Sequence, residues 1–166
     1  MVVWSISVRV FHWLNAALFL CAYWLLEAGE KLHEWAGYAV AALVVLRIAL
    51  GVFGKGHARF SDFMPTPGRV YRYLREFPAS HAAWPGHNPV GGLMILFMLG
   101  VLLLVSVTGW LQTTAKYWGE EWVQQLHEYA ADLMMLTVVV HVVAVLLMQW
   151  ITGVPLVRAM MTGKRH

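Results

Sequence analysis

The sequence predicts an all-α integral membrane protein, a four-helix bundle that forms a single domain over residues 1–166. Hydrophobic residues make up 60% of the chain and charged residues only 13%, a composition far from that of a soluble domain. The mean hydropathy is +0.60. In addition, the apolar residues fall into four stretches, each long enough, at about 20 residues, to cross the hydrocarbon core of a bilayer as a helix.

The four predicted spans lie at residues 8–26, 33–53, 89–111 and 125–151. The first span has the position of a signal peptide. However, its apolar core is long, no small-residue cleavage site follows it, and it carries the polar residues His12 and Asn15, so we interpret it as a membrane helix. Asn88 followed by Pro89 is typical of a helix start, with Asn as the N-cap.

The Lys and Arg residues predict the orientation of the spans. The connection at residues 54–88 has five Lys or Arg residues, the C-terminal end has three and the N-terminal end has Arg9, whereas the short loops at residues 27–32 and 112–124 carry mainly Glu. Because positively charged loops stay in the cytoplasm, we expect the N- and C-termini and this connection to be cytoplasmic. Residues 70–77 would form a short amphipathic helix that lies along the membrane surface, in contact with lipid. Since membrane topology already explains the basic residues, no nucleic-acid partner is expected.

Four histidines interrupt the apolar spans. His127 and His141 are fourteen residues apart, which puts both on one face of a helix and about 21 Å apart along its axis. One metal ion cannot bind both. Depth decides the pairing, because His33 and His127 each lie near the outer start of a helix, while His12 lies near the inner end, at the depth of His141. We therefore predict two sites, His33/His127 and His12/His141, each holding one haem iron between two axial histidines.

The alternative for these histidines is that they only form hydrogen bonds between helices, as polar residues in membrane bundles do. Four at matched depths favour a functional site, because ionisable groups inside a membrane are costly. Small residues four positions after a ligand, Ala16, Gly37 and Ala131, would leave room for a flat macrocycle. The chain has one cysteine, Cys21, and no C-x-x-C-H motif, so the haem would be bound without covalent attachment. Two axial histidines leave no open position on the iron, which suits one-electron transfer.

Several motifs are spread over almost the whole chain. They are RVFHW at residues 9–13, HEWAGY at 33–38, LRIALG at 46–51, HARFSDF at 57–63, GHNPVGG at 86–92, LHEYAADL at 126–133 and VVVHVVAVLL at 138–147. Taken together, they resemble the bacterial cytochrome b561 and nickel–iron hydrogenase b-type cytochrome family.

The resemblance implies a di-haem b-type cytochrome of the bacterial cytoplasmic (inner) membrane, with two non-covalent haem b groups. It implies the same four axial ligands, His12, His33, His127 and His141. Members of this family pass electrons between a periplasmic redox protein and the quinone pool. The chain has fewer predicted spans than the larger hydrogenase-type members, which leaves open a periplasmic cytochrome c as partner or a stand-alone role.

Two arginines are candidate cofactor-binding residues. Arg47 lies fourteen residues after His33, near the inner end of its helix, and a haem propionate or a quinone head group would supply the anion or acceptor that a buried Arg needs. The alternative is that its side chain extends to the inner interface. Arg9, one turn before His12, is a similar candidate, and its alternative is an ordinary positive charge on the cytoplasmic side.

The cytoplasmic connection carries a candidate quinone and proton site at His57 and Arg59. Quinone reduction consumes protons, and histidine titrates near neutral pH. The alternative is a solvated loop histidine, which is also what we expect of His81 and His87.

The acidic short loops, with Trp118 and Trp122, are the expected docking surface for a periplasmic partner, since complementary charge speeds association. The alternative is an ordinary aromatic belt beside a solvated acidic rim. Small residues such as Gly100 and Gly109 would also permit a homodimer.

Three functions are left open by the sequence. The first is a di-haem carrier of electrons across the membrane, between a periplasmic redox partner such as a cytochrome c and quinone. The second is a stand-alone haem b oxidoreductase that oxidises a small periplasmic reductant such as superoxide, with quinone as acceptor. The third is a non-redox membrane anchor subunit. Whether the chain is itself a quinone-linked enzyme or a subunit of one is not decided by its residues.

Overall fold

The computed structural model describes residues 4–54, 59–77 and 88–164. Within these ranges the chain forms seven helices and no β-strand. The helices are α1 (Ile6–Trp24), α2 (Lys31–Phe53), α3 (Phe60–Phe63), α4 (Pro67–Arg75), α5 (Pro89–Gln112), α6 (Glu121–Thr152) and α7 (Leu156–Thr162).

Four of these helices, α1, α2, α5 and α6, are long and apolar enough to cross a membrane. The mean hydropathy of their spans runs from 1.3 in α1 to 2.7 in α5. Only 11% of the α6 span and 28% of the α2 span are buried inside the protein, so most of their apolar side chains face outward, as they do in a protein surrounded by lipid. The predicted all-α membrane four-helix bundle is confirmed.

The long helices pack in chain order, α1 against α2, α2 against α5, and α5 against α6. Their common core contains Phe19, Val40, Val44, Val101, Leu102 and Met134. In lipid, such side chains hold helices together through van der Waals packing. The backbone of α6 packs closely on α5 but not on α1 or α2, and the four histidines lie across this wider spacing.

The ends of the long helices carry recognisable caps. The Asn88 side chain accepts a hydrogen bond from the Gly91 N–H at 2.7 Å, and Pro89 begins α5, as the Asn-Pro pair predicts. The C-cap of the longest helix, α6, is Gly153, which adopts φ +68°. This left-handed conformation ends many helices and favours glycine. With 32 residues, α6 is about 48 Å long and exceeds the about 30 Å of the hydrocarbon core.

Two short helices connect α2 with α5. Phe63 of α3 is 1% exposed and lies so close to Gly92 of α5 that a Cβ there would come within 2.6 Å of the Phe63 carbonyl oxygen. Tyr73 of α4 is buried, whereas Arg72 and Arg75 are exposed. The helix at residues 67–75 is therefore amphipathic, and it begins and ends earlier than the predicted 70–77.

A C-terminal helix, α7, folds back onto the start of α1. The Trp4 N–H donates to the Gly163 carbonyl at 3.3 Å, and the indole N–H of Trp13 donates to the Met160 carbonyl at 3.4 Å. The Arg9 guanidinium donates to the Met161 carbonyl. These bonds satisfy carbonyl groups at the end of α7 that have no partner within the helix.

Candidate functional site

The two ends of the bundle differ in charge. The acidic end carries the α1–α2 and α5–α6 connections and, within them and the first eight residues of α2 and α6, six carboxylates: Glu27, Glu30, Glu34, Glu120, Glu121 and Glu128. The basic end carries α3, α4 and α7, with the arginines Arg59, Arg69, Arg72, Arg75 and Arg158.

The structure brings the four predicted histidines together as two pairs. At the acidic end, the ring centroids of His33 and His127 are 6.3 Å apart, with their planes at 74°. Towards the basic end, the ring centroids of His12 and His141 are also 6.3 Å apart, with their planes at 52°. Two separate helix pairs, α2 with α6 and α1 with α6, thus present rings at the same separation.

This separation fits one metal ion between two imidazoles. A histidine nitrogen binds a metal ion at about 2.0–2.1 Å, and in a five-membered ring with bonds of about 1.33 Å each nitrogen lies about 1.1 Å from the ring centre. Two rings on opposite sides of one ion therefore have centroids about 6.3 Å apart. Among the described residues, no group of three or more His, Cys, Asp or Glu side chains could hold a metal ion, and each pair by itself offers two imidazole rings.

The alternative, that the histidines serve only as hydrogen-bonding groups between helices, fits three of the four rings poorly. The Nδ1 atoms of His12 and His33 are buried and have no hydrogen-bond partner within residues 4–54, 59–77 and 88–164. Buried polar atoms are normally paired. Among the described residues, His141 also has no hydrogen bond to another helix. His127 does form such bonds, from its Nδ1 to α5. The arrangement therefore fits rings that bind a group.

His127 is held by α5, the long helix that carries none of the four histidines. Its Nδ1 lies 3.1 Å from the Val105 carbonyl oxygen and 3.1 Å from the Thr108 hydroxyl oxygen. Gly109 leaves room for the ring, since a Cβ there would come within 3.1 Å of His127 Cε1. Our reading of the sequence missed Thr108. Thr108 lies about one turn from the acidic end of α5 and His127 about two turns from that of α6, so the two are at similar depth, but depth does not tell which faces of the helices meet.

Space beside the rings is available at Gly37. This glycine lies four residues after His33 on the same face of α2, and a Cβ placed there would meet nothing within 4 Å. The wider spacing between α6 and the α1–α2 pair adds to it. The ring separations and this open position leave room for a flat group beside the paired rings.

The two predicted arginines take different positions. Arg47 is 3% exposed, and its guanidinium lies 5.0 Å from the centroid of the Phe60 ring in α3, a cation–π distance. Gly51 allows this ring to approach α2, since a Cβ there would collide with it. Arg9 lies one turn before His12 and bonds to α7, while its buried Nε has no partner among the described residues.

The remaining predicted residues lie in the connection and the loops. His57 falls outside the described residues, as do His81 and His87. Arg59 is exposed and immediately precedes α3.

At the acidic end, Trp118 and Trp122 are exposed. Below them the hydroxyl of Tyr23 in α1 donates to Asp132 of α6 at 2.7 Å. This hydrogen bond joins the two helices that lack close backbone packing. Of the two glycines considered for a homodimer, Gly100 has nothing within 4 Å of a Cβ, whereas Gly109 faces His127.

The model of one protein family matches the chain over residues 3–163, and the family is described as prokaryotic cytochrome b561. Comparison with curated proteins found no match. Comparison with solved structures also found no match.

Proposed function

The chain belongs to the prokaryotic cytochrome b561 family, and we propose on that basis that it carries electrons across the bacterial cytoplasmic membrane through two haem groups. As a member, it is a multi-pass membrane protein that binds b-type haem and takes part in electron transfer. The family found from the motifs is thereby confirmed. The number of haems, the membrane sides and the partners are the proposed part.

The observation that carries the proposal is the presence of two histidine pairs with the same 6.3 Å separation. His33 and His127 would hold one haem at the acidic end, and His12 and His141 would hold the other towards the basic end. Haem bound in this way supplies one-electron redox chemistry with no open position for a substrate. The apolar helices around the rings exclude water, and α6 spaces the two sites by about 21 Å along its axis, most of the thickness of a bilayer core.

The charge distribution supports an orientation with the basic end in the cytoplasm. In residues 59–77 and 153–164 of that end, five arginines and Lys164 outnumber the carboxylates Asp62 and Glu76, whereas the acidic end has six carboxylates against Lys31 and Lys116. Positively charged segments stay on the cytoplasmic side. The acidic end then faces the periplasm, and both termini are cytoplasmic.

The acidic end also favours one class of periplasmic partner. Six carboxylates against two lysines attract a basic protein surface, such as that of a cytochrome c, and repel a small anion such as superoxide. We therefore place the cytochrome c ahead of superoxide as the periplasmic reactant. The histidine pairs favour both over a non-redox anchor.

Quinone would react at the basic end, where Arg47 is buried beneath Phe60 and His57 and Arg59 follow α2. Replacing His57 by Ala, with Arg59→Ala beside it, should slow quinone reduction while both haems stay bound. Unchanged quinone kinetics in both variants would remove these residues from the quinone site.

Transmembrane electron transfer tests the proposed function. Protein is reconstituted into vesicles that contain trapped ferricyanide, and a membrane-impermeant reductant is added outside. Electrons should reach ferricyanide in the native protein and be stopped in both His12→Ala and His33→Ala, because each variant interrupts the two-haem path. Thr137→Val, which changes a buried residue whose hydroxyl bonds only within α6, is the control. A full rate in either histidine variant would contradict a path through both pairs.

A further inference from the structure

Helix α5 carries none of the four histidines, yet Val105 and Thr108 of this helix both lie within hydrogen-bond distance of the His127 ring. We propose that Thr108 is a positioning residue, which holds the ring of His127 at its Nδ1 and lowers the reduction potential of the haem that His33 and His127 hold. This inference rests on the proposed haem site at the acidic end, and it adds a residue from the fourth helix of the bundle to that site.

The hydrogen-bond geometry defines the role of the Thr108 hydroxyl. Thr108 is 1% exposed, and its hydroxyl lies 2.8 Å from the carbonyl oxygen of Leu104 and 3.1 Å from that of Val105. Because a carbonyl oxygen can only accept, the hydroxyl donates its one proton to these carbonyls, with the shorter distance to Leu104. A lone pair of Thr108 Oγ1 is then available to His127 Nδ1 at 3.1 Å.

The same analysis fixes the proton on His127. Its Nδ1 also lies 3.1 Å from the Val105 carbonyl oxygen, which again can only accept. Both neighbours of Nδ1 therefore accept from it, so Nδ1 carries the proton and shares it between Val105 and Thr108. The nitrogen that remains with a free lone pair is Nε2, the one that can bind a metal ion.

The proposed effect on the potential follows from this bond. An imidazole whose N–H is hydrogen-bonded is a more basic ligand, and a more basic ligand stabilises ferric over ferrous iron. Hydrogen bonding around the ligands is one of the ways a protein sets a haem potential. Thr108 and Val105 together should thus lower the potential of the haem at the acidic end.

The other rings lack this support. The buried Nδ1 atoms of His33 and His12 have no hydrogen-bond partner in the part of the chain that the structure describes. His127 also differs in its packing. Gly109 lets its ring lie against α5, since a Cβ at Gly109 would come within 3.1 Å of His127 Cε1. His127 is therefore the ring whose orientation the protein fixes most firmly.

The test is a redox titration of haem-loaded Thr108→Val, Thr108→Ser and the native protein, with the low-temperature electron paramagnetic resonance of each haem. The titration step of the acidic-end haem is identified as the one lost in His33→Ala. In Thr108→Val we expect its ferrous-to-ferric ratio at a fixed ambient potential to rise about threefold to tenfold, as for loss of one hydrogen bond, with a shift of its resonance. Thr108→Ser keeps the hydroxyl and should stay close to the native protein.

The matched control is Thr137→Val. Thr137 is also buried, and its hydroxyl also donates to a carbonyl four residues back, that of Leu133, at 2.7 Å. Its loss should leave the acidic-end haem unchanged. If Thr108→Val does not accumulate, Thr108→Cys has a similar size and a weaker acceptor, and should shift the potential in the same direction by less.

Each failure has a distinct meaning. Two bound haems with an unchanged potential and resonance in Thr108→Val, or in Thr108→Cys where that variant replaces it, would overturn the role of Thr108 and leave the proposed function standing. An equal shift in Thr108→Ser would also overturn it, since packing rather than the hydroxyl would then be responsible. Absence of haem from the native protein would instead overturn the proposed function.

Discussion

At the scale of single residues, each histidine ring requires a partner ring, free space beside it and a fixed orientation. The rings of His33 and His127 meet the first two conditions, through their 6.3 Å separation and the open position at Gly37, and His127 meets the third through its bonds to α5. Small residues on a membrane helix usually serve close helix packing. Gly37 has no neighbouring atom within 4 Å of a Cβ and lies on the face of α2 that carries His33, which favours space for a cofactor over helix packing.

A large side chain at position 37 should show whether Gly37 serves helix packing or leaves space for a cofactor. Gly37→Leu meets no protein atom near its Cβ, so the bundle should still fold, but the side chain would occupy the space beside His33. We expect haem content to fall from two groups per chain to one, measured by a pyridine haemochrome assay. Gly100→Leu, which is equally open but far from any histidine in sequence, should keep both groups. Full haem content in Gly37→Leu would contradict this role.

At the scale of elements, α7 holds the start of α1 close to the end of α6. Trp4, Arg9 and Trp13 all bond to carbonyl groups of residues 160–163, and His12 lies between the last two in sequence. Since the backbones of α1 and α6 do not pack closely, these bonds are a main restraint on the position of His12 relative to His141.

Changing Gly163 tests this restraint. Gly163 has φ +78°, and a Cβ there would come within 2.9 Å of the Trp4 carbonyl oxygen. Gly163→Ala should lower the temperature of thermal unfolding and weaken haem binding by His12 and His141. The control is Gly119→Ala, which has φ +77° but nothing within 4 Å of a Cβ. Each substitution costs about 1–2 kcal/mol for the left-handed backbone, and only Gly163→Ala should release haem more readily. Equal behaviour of the two would show that α7 does not support the site.

At the scale of the whole molecule, the bundle has one acidic and one basic end, and each end lies near a different histidine pair. We expect reduction of a basic cytochrome c to slow as ionic strength rises, since the screening length falls from about 10 Å at 0.1 M salt to about 3 Å at 1 M. Neutralising Glu120 and Glu121 together as Gln should slow the reaction at low salt. Glu76→Gln, an exposed carboxylate next to α4, should not. A rate that ignores salt would contradict docking at the acidic end.

The parts that could be predicted from the sequence are those governed by distances along single helices. Apolar stretches of about 20 residues predicted the four long helices, and depth along each helix predicted which histidine rings would meet. Helix α7 could not be predicted in this way, because seven residues without a span-length apolar stretch carry little signal. Thr108 was missed for a different reason. Its partner, His127, lies on another helix, and which faces of α5 and α6 meet is decided by packing.

The most direct test of the account is the number of haem groups per chain and their assignment to residues. Purified protein should contain two low-spin b haems per chain by reduced-minus-oxidised spectra and the pyridine haemochrome assay. His33→Ala and His12→Ala should each retain one haem, with different midpoint potentials, because each variant empties a different site. A single haem in the native protein, or loss of the same haem in both variants, would contradict the two paired sites.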